Sequence, residues 1–159
     1  MKPIRNKRNN VNKTLLVSLL VIAVGGCAEE AKVEMPYQAT SNVHDIMYWL
    51  VEPAADGVWD SAGFILTEEG EEDLQPTDQA GWDAVRNSAT LVAEAGNLLM
   101  MPGYRADEGD WVEYAQGLVR TGLIAREAAL AKDADALFDA GGAIYNVCRA
   151  CHSKYIVEL

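Results

Sequence analysis

Two cysteines and a histidine lie close together near the C-terminal end of the chain, in the run Cys148-Arg149-Ala150-Cys151-His152. Residues three apart on a helix lie on the same face, so the two thiols would be neighbours. This spacing suits thioether bonds to the two vinyl groups of a haem, and the histidine that follows is placed to bind the iron. The motif therefore predicts one covalent haem c, anchored by Cys148 and Cys151 and ligated by His152.

Two other kinds of site use cysteines at this spacing. A thioredoxin-type redox pair occurs within a βαβ pattern, and no such pattern surrounds the motif. A structural zinc ion takes four ligands, and the chain offers only His44 and Cys27 besides the three residues of the motif. Covalent haem is the interpretation that we favour over both.

The first 26 residues have the composition of an export signal. A basic stretch up to Lys13 is followed by an apolar stretch, residues 14–24, which is shorter than the roughly 20 residues of a membrane-spanning helix. It leads into Gly25-Gly26-Cys27, which resembles the cleavage box of bacterial lipoproteins. That resemblance implies a signal peptide at residues 1–26, lipidation of Cys27, and a tether over residues 27–40. Ordinary signal cleavage near the same position is the alternative.

Either form of processing delivers the chain outside the cytoplasm, where bacterial c-type haem is attached. Ala28 follows the cysteine, which among lipoproteins is typical of the outer membrane. We therefore expect a lipid-anchored domain on the periplasmic side of a bacterial membrane, with the outer membrane weakly favoured.

The charge of the chain is distributed unevenly. Five of its 13 basic residues lie within residues 1–26, which leaves eight in the remainder of the chain against all 24 acidic residues. Such an acidic surface repels nucleic acid and anionic lipid, so we expect no nucleic-acid partner. It favours a redox partner protein with a basic docking face, although an acidic surface kept for solubility explains the same composition.

Residues 41–159 carry the periodicity of four helices. The first is predicted over about residues 42–66, because its apolar residues recur at steps of three and four, with Pro53 expected to kink or interrupt it. These apolar residues are Val43, Met47, Leu50, Ala54 and Val58. The acidic residues 67–73 are predicted to form a solvated loop rather than a metal site.

The other three helices follow from the same steps and from their end signals. The second is predicted to begin after Pro76, with Thr77 as its N-cap, and to end before Pro102. The third opens near residues 107–110, and the fourth runs from about Asp135 to the end. Short connections predict antiparallel neighbours.

The fourth helix carries the haem motif on its apolar stripe, so the motif is predicted to face the core of the bundle. Leu137, Gly141 and Ile144 belong to the same stripe. Gly141-Gly142 is costly in a helix, at roughly 2 kcal/mol relative to two alanines. A flat ring pressed against the backbone and close packing against a neighbouring helix are both consistent with the pair.

Four helices with Cys148, Cys151 and His152 near the C-terminus resemble the class II c-type cytochromes, the cytochrome c prime group, over about residues 41–158. The resemblance implies an all-α fold, an antiparallel up-down-up-down four-helix bundle with the haem near one end, and a homodimer, as in many family members. It also implies that His152 is the proximal ligand, and Arg149 matches a basic residue common there. The lipoprotein-like signal departs from the plain secretory signal of most members.

The second axial ligand decides the function under this resemblance. Members with a methionine on the first helix are low-spin electron carriers, and members with an open iron bind small gases such as NO and CO. Met47 lies in the approximate place of that distal residue, although methionine is also a common core filler. His44, one turn earlier, is the other histidine and a weaker candidate.

The function that we expect is therefore a membrane-anchored cytochrome that carries single electrons, with Met47 as the sixth ligand and no enzymatic activity. A gas-binding or sensing haem protein is the alternative. An anchored subunit of a larger redox complex is a third possibility.

Overall fold

A computed structural model describes residues 36–156 of the chain, of which residues 38–156 belong to one compact unit. The predicted signal peptide, Cys27 and most of the predicted tether lie outside the described residues. None of the described helices is both long enough and apolar enough to cross a membrane. The helices are α1 (Val43–Ile46), a π-helical segment (Met47–Val51), α2 (Glu52–Trp59), α3 (Gln79–Leu99), α4 (Asp110–Ala131) and α5 (Ala134–Tyr155).

The first three of these segments are continuous and together form one helix, here called the first helix, over residues 43–59. It begins at Asn42, whose side chain accepts a hydrogen bond from the N–H of Asp45 at 2.9 Å. Pro53 has no N–H to donate, and its ring crowds the carbonyl four residues earlier. The helix widens there, and the N–H of Glu52 donates to the carbonyl of Met47, five residues back. The predicted interruption is thus a π-helical turn on the N-terminal side of Pro53.

The first helix ends at Trp59, earlier than predicted, and residues 64–73 form a β-hairpin. Strand β1 (Phe64–Thr67) pairs antiparallel with β2 (Gly70–Asp73), Phe64 opposite Asp73 and Thr67 opposite Gly70. Gly63 and Gly70 have φ values of 87° and 133°, which favour glycine and permit the two chain reversals. The prediction of helix at residues 64–66 was wrong. Residues 67–73 are exposed to solvent, as predicted, but they form strand and turn where a loop was expected. Positive-φ glycines on both sides of a short apolar strand favour the hairpin.

The last three helices agree closely with their predicted ranges. Asp78, not Thr77, is the N-cap of α3, and its carboxylate accepts a hydrogen bond from the N–H of Gly81 at 2.8 Å. Asp133 caps α5 in the same way through the N–H of Ala136. Lys132, in the left-handed conformation with φ 56°, ends α4 and allows the tight turn into α5.

The core lies between the four helices and is built mainly from small and branched side chains. The residues that are completely buried include Val58, Val85, Val92, Leu137 and Ile144. Helices α3 and α4 pack especially closely, because a Cβ on Gly96 would lie 2.6 Å from the carbonyl oxygen of Ala115, and one on Gly122 would lie 2.6 Å from the backbone nitrogen of Ala93. The described residues are therefore mostly helical and compatible with an all-α bundle, to which the hairpin is an addition.

Candidate functional site

A cleft at one end of the bundle brings together side chains from all four helices. Its lining comes from the start of the first helix, the end of α3, the start of α4 and the end of α5. Consecutive helices therefore run in opposite directions, because their ends alternate at this cleft. The lining residues are Met47, Leu99, Trp111, Tyr114, Ala115, Leu118, Val147, Cys148, Cys151 and His152.

The four side chains predicted to hold a haem all line this cleft. Cys148 and Cys151 are half-buried free thiols one turn apart on α5. His152 is exposed at the mouth of the cleft, and Met47 is half-buried on the first helix. The structure thus brings Met47 to the Cys-x-x-Cys-His motif, although the two are far apart in the sequence.

The burial of the α5 stripe differs from the prediction at its C-terminal end. Leu137 and Ile144 are completely buried, whereas His152 is exposed. Cys148 packs against the core as predicted, so the motif extends from the edge of the core at Cys148 to the surface at His152.

Burial sets the protonation of the two thiols. It raises the pKa of Cys148 above the ordinary value of 9.0, and it raises the pKa of Cys151, to which the charge of Cys148 adds. Both are therefore protonated at neutral pH. Thiols activated for disulfide exchange have lowered pKa values, so this environment does not favour a thioredoxin-type pair. Within residues 36–156, no three His, Cys, Asp or Glu side chains gather in a way that would hold a metal ion.

Met47 lies at the first residue of the π-helical segment. Such turns alter the direction of side chains and occur often at functional sites. Only Ile46 and Val51 are fully buried among residues 43–51, while Tyr48 and Trp49 are 55% and 73% exposed. On this part of the first helix, Met47 and Leu50 are partly buried and pack against the core.

An aromatic cluster that the sequence analysis did not assign to the site lies beside the cleft, and two of its members, Trp111 and Tyr114, line it. The indole N–H of Trp111 donates to the carbonyl of Leu99 at 2.7 Å. The ring of Tyr155 packs edge-on against Trp111 and Tyr114, at centroid distances of 5.0 and 6.3 Å. The helical spacing of Trp111, Tyr114 and Leu118 was the available signal, because it places the three side chains on one face of α4.

Asp107 holds this cluster to the start of α4. Its carboxylate accepts a hydrogen bond from the hydroxyl of Tyr155 at 2.5 Å and others from the N–H groups of Gly109 and Trp111. The bond from Tyr155 is the main reason that the pKa of Asp107 is lowered, and the backbone bonds add to it. Burial and the same hydrogen bond raise the pKa of Tyr155 to about 12.

His44 does not line the cleft. Its side chain is 86% exposed, lies 3.6 Å from the carboxylate of Asp45 and stacks against the ring of Tyr48. The structure therefore gives His44 no contact with the Cys-x-x-Cys-His motif.

Gly141 and Gly142 serve different purposes. A Cβ on Gly141 would lie 3.1 Å from Cδ1 of Trp59, whose indole N–H donates to the Gly141 carbonyl at 2.9 Å. Close packing against the first helix therefore explains Gly141. A Cβ on Gly142 would meet nothing within 4 Å, and nothing in the structure explains this glycine.

The chemistry of the cleft suits a haem. Two protonated thiols one turn apart, an adjacent imidazole and a thioether on the first helix are the kinds of group that would hold a c-type haem. Leucine, valine and aromatic side chains supply an apolar surround. The cleft encloses only about 30 Å³, far below the range of about 300–1,000 Å³ for ligand pockets. A ring as large as a haem would therefore fit only if groups that line the cleft moved apart.

Comparison with protein-family models, curated proteins and solved structures finds no match to this chain. The case for any function therefore depends on the sequence motifs and on the geometry of the cleft.

Proposed function

We propose that this protein is a membrane-anchored c-type cytochrome that carries single electrons on the periplasmic side of a bacterial membrane. One observation carries the proposal: the thioether of Met47 lines the same apolar cleft as Cys148, Cys151 and His152. In the proposed site, the two thiols are the covalent anchors, His152 is the proximal ligand and Met47 is the sixth ligand. The antiparallel class II bundle and a possible dimer belong to the same proposal.

The residues of the cleft would tune the redox centre and not perform chemistry of their own. The bound haem would supply the one-electron change. A thioether ligand raises the reduction potential, and an apolar surround does so further by disfavouring the more highly charged oxidised state. Leu99, Trp111 and Leu118 supply that surround and limit the entry of water. The proposed role requires no catalytic side chain, and its partner is a redox protein with a basic docking face.

Gas binding is the second candidate function. The observation in its favour is that Met47 is only half-buried, on the part of the first helix with the fewest buried side chains. If this wall moves outward and Met47 does not bind the iron, the distal side becomes an open apolar space. Small uncharged gases fit such a space.

An optical spectrum tests both candidates. The protein is produced with the machinery for c-type haem attachment, and spectra of the oxidised and reduced forms are recorded with and without CO. A low-spin spectrum unchanged by CO supports the electron carrier, and a high-spin spectrum that shifts with CO supports gas binding. Absence of covalent haem from the purified protein would reject both.

Two matched variants test the ligand assignment. His152→Ala removes the proposed proximal ligand, and His44→Ala removes the exposed histidine outside the cleft. We expect the first to abolish the native spectrum and the second to leave it unchanged. Equal effects of the two substitutions would contradict the proposed site.

A further inference from the structure

The β-hairpin presents an apolar strand with no cover. Phe64, Ile65 and Leu66 are 60%, 46% and 77% exposed. Side chains alternate between the two faces of a strand, so apolar groups face solvent on both sides of β1. An isolated two-stranded hairpin is only marginally stable in water. Three consecutive exposed apolar residues in such an element mark it as a surface for contact with another molecule.

The backbone of β1 also has a free edge. The N–H of Leu74 donates to the carbonyl of Gly63, so these residues form a hydrogen-bonded pair. Pairs alternate along an antiparallel ladder, so Phe64 and Leu66 belong to non-hydrogen-bonded pairs, and their N–H and C=O groups point away from β2. Within residues 36–156, no backbone hydrogen bond from another element reaches these groups. The edge is therefore open to a further strand.

The charge of the hairpin defines the strand that it can accept. Five carboxylates lie within residues 68–73, and residues 64–73 contain no Lys, Arg or His. A second copy of the chain would bring a second acidic hairpin into contact with the first, and like charges on adjacent strands are destabilising. An anionic lipid surface is disfavoured for the same reason. A strand in which lysine or arginine alternates with apolar residues matches all three features of the hairpin. Its basic side chains pair with the carboxylates, its apolar side chains cover those of β1, and its backbone forms hydrogen bonds with the free edge.

We propose that the outer edge of β1 binds an extended basic segment of a partner protein, which adds as a third strand to the hairpin. Main-chain hydrogen bonds to Phe64 and Leu66 supply affinity, and the carboxylates of β2 and its turn select basic side chains. Strand addition of this kind does not require a groove.

The hairpin lies at the end of the bundle opposite the cleft. It borders the connection between α4 and α5, because Phe64, Asp73 and Lys132 line one surface depression. From Ala134 to Cys148 the helix rises about 20 Å. A partner held at β1 therefore leaves the mouth of the cleft open to a second molecule. This inference stands whether or not the cleft holds a haem.

Binding of a defined peptide tests the proposal. The probe is a short, end-blocked, fluorescent peptide of alternating lysine and valine, and its anisotropy is measured against protein concentration at low salt. The matched probe has the same sequence with alternate backbone nitrogens methylated, which removes the donors of one edge. We expect the methylated peptide to bind about tenfold more weakly, since several main-chain hydrogen bonds are lost. Equal binding of the two peptides, or no binding of the first, would overturn strand addition.

Variants of the protein locate the binding surface. Leu66→Lys places a positive charge at the free edge, and Leu66→Pro removes one outward N–H that the hairpin itself does not use. Each should weaken binding of the unmethylated peptide by about threefold to tenfold. If both variants bind the peptide as tightly as the native protein, the edge of β1 is not the binding site.

Two variants that lose the same number of charges distinguish binding at the hairpin from a general attraction of the basic peptide to an acidic protein. The triple variant Glu69→Gln, Glu71→Gln, Glu72→Gln removes three of the five negative charges of the hairpin, and Glu94→Gln, Glu113→Gln, Glu127→Gln removes the same number from the exposed helix surface. Only the first should lose binding. Equal losses would show that net charge alone attracts the peptide. Self-association of the hairpin variant without peptide binding by the native protein would show that the carboxylates only prevent aggregation.

Discussion

Met47 is the residue that separates the two proposed functions. From the sequence, its position on the apolar stripe of the first helix was compatible with two roles, a side chain that fills the core and a ligand of the iron. The fold places it in the cleft with Cys148, Cys151 and His152. Met101, also partly buried, packs against the core at the end of α3 and does not line the cleft. The two methionines therefore provide a matched comparison.

Met47→Ala should change the iron from low-spin to high-spin and make it accessible to CO, because the variant removes the only thioether that lines the cleft among the described residues. Met101→Ala should cause a modest loss of stability and leave the spectrum unchanged. Optical spectra of the haem-loaded variants measure both effects. If Met47→Ala has the same spectrum as the native protein, Met47 is not a ligand of the iron.

Asp107→Asn should destabilise the protein in a pH-dependent manner. The folded state lowers the pKa of Asp107 from 3.8 through the hydrogen bond from Tyr155, so the ionised carboxylate contributes stability above that value. The contribution is lost as the pH falls through the lowered pKa. Thermal unfolding should show a deficit in the variant at neutral pH that diminishes below pH 3.8. Asp139→Asn, at an exposed site, is the control, and a pH-independent deficit in Asp107→Asn would contradict the assignment.

At the scale of single elements, the first helix shows where local patterns succeed and fail. The apolar periodicity predicted the helix, and Pro53 predicted an interruption, since both effects operate within a few residues. The same periodicity extended the prediction through Phe64-Ile65-Leu66, where the chain forms β1 instead. A short apolar run is compatible with either helix or strand, and the reversals at Gly63 and Gly70 decide between them.

The adjacent glycines of α5 should respond in opposite ways to alanine. Gly142→Ala should raise the free energy of unfolding by about 1 kcal/mol, because a Cβ there meets nothing and alanine favours the helix. Gly141→Ala should lower it by about 1 kcal/mol, because the new methyl crowds the indole of Trp59, which its hydrogen bond to residue 141 holds in place. Denaturant unfolding of the apo-protein measures both. An equal increase in the free energy of unfolding of the two variants would show that Trp59 moves away freely from the new methyl group.

At the scale of the whole molecule, the alternating directions of four helices bring the beginning and the end of the domain to one cleft. The hairpin is at the other end of the bundle, where it borders the turn between α4 and α5. The cleft and the free edge of β1 are thus two separate surfaces, one proposed to hold a cofactor and the other proposed to bind a partner strand. Attachment to a membrane would come from Cys27, which lies outside the described residues.

Cys27→Ala should release the protein from membranes or block its maturation, because the proposed lipid attachment has no acceptor. Fractionation of cells into membrane and soluble material, with a labelled fatty acid to detect the modification, measures the effect. If the variant still partitions with membranes as fully as the native protein and the native protein carries no label, lipidation is not the anchor.

The sequence by itself predicted the four helices, the residues of the Cys-x-x-Cys-His motif and the uneven charge. These predictions depend on the spacing of residues, on the signals at helix ends and on composition. Such features are local or are summed over the chain, so they do not depend on how the chain folds. The fold decided that Met47 shares a cleft with the motif, that His44 does not, and that Gly141 accommodates Trp59. It also created the free edge of β1 next to five carboxylates. Such relations depend on distances between residues far apart in the chain, and only packing sets those distances.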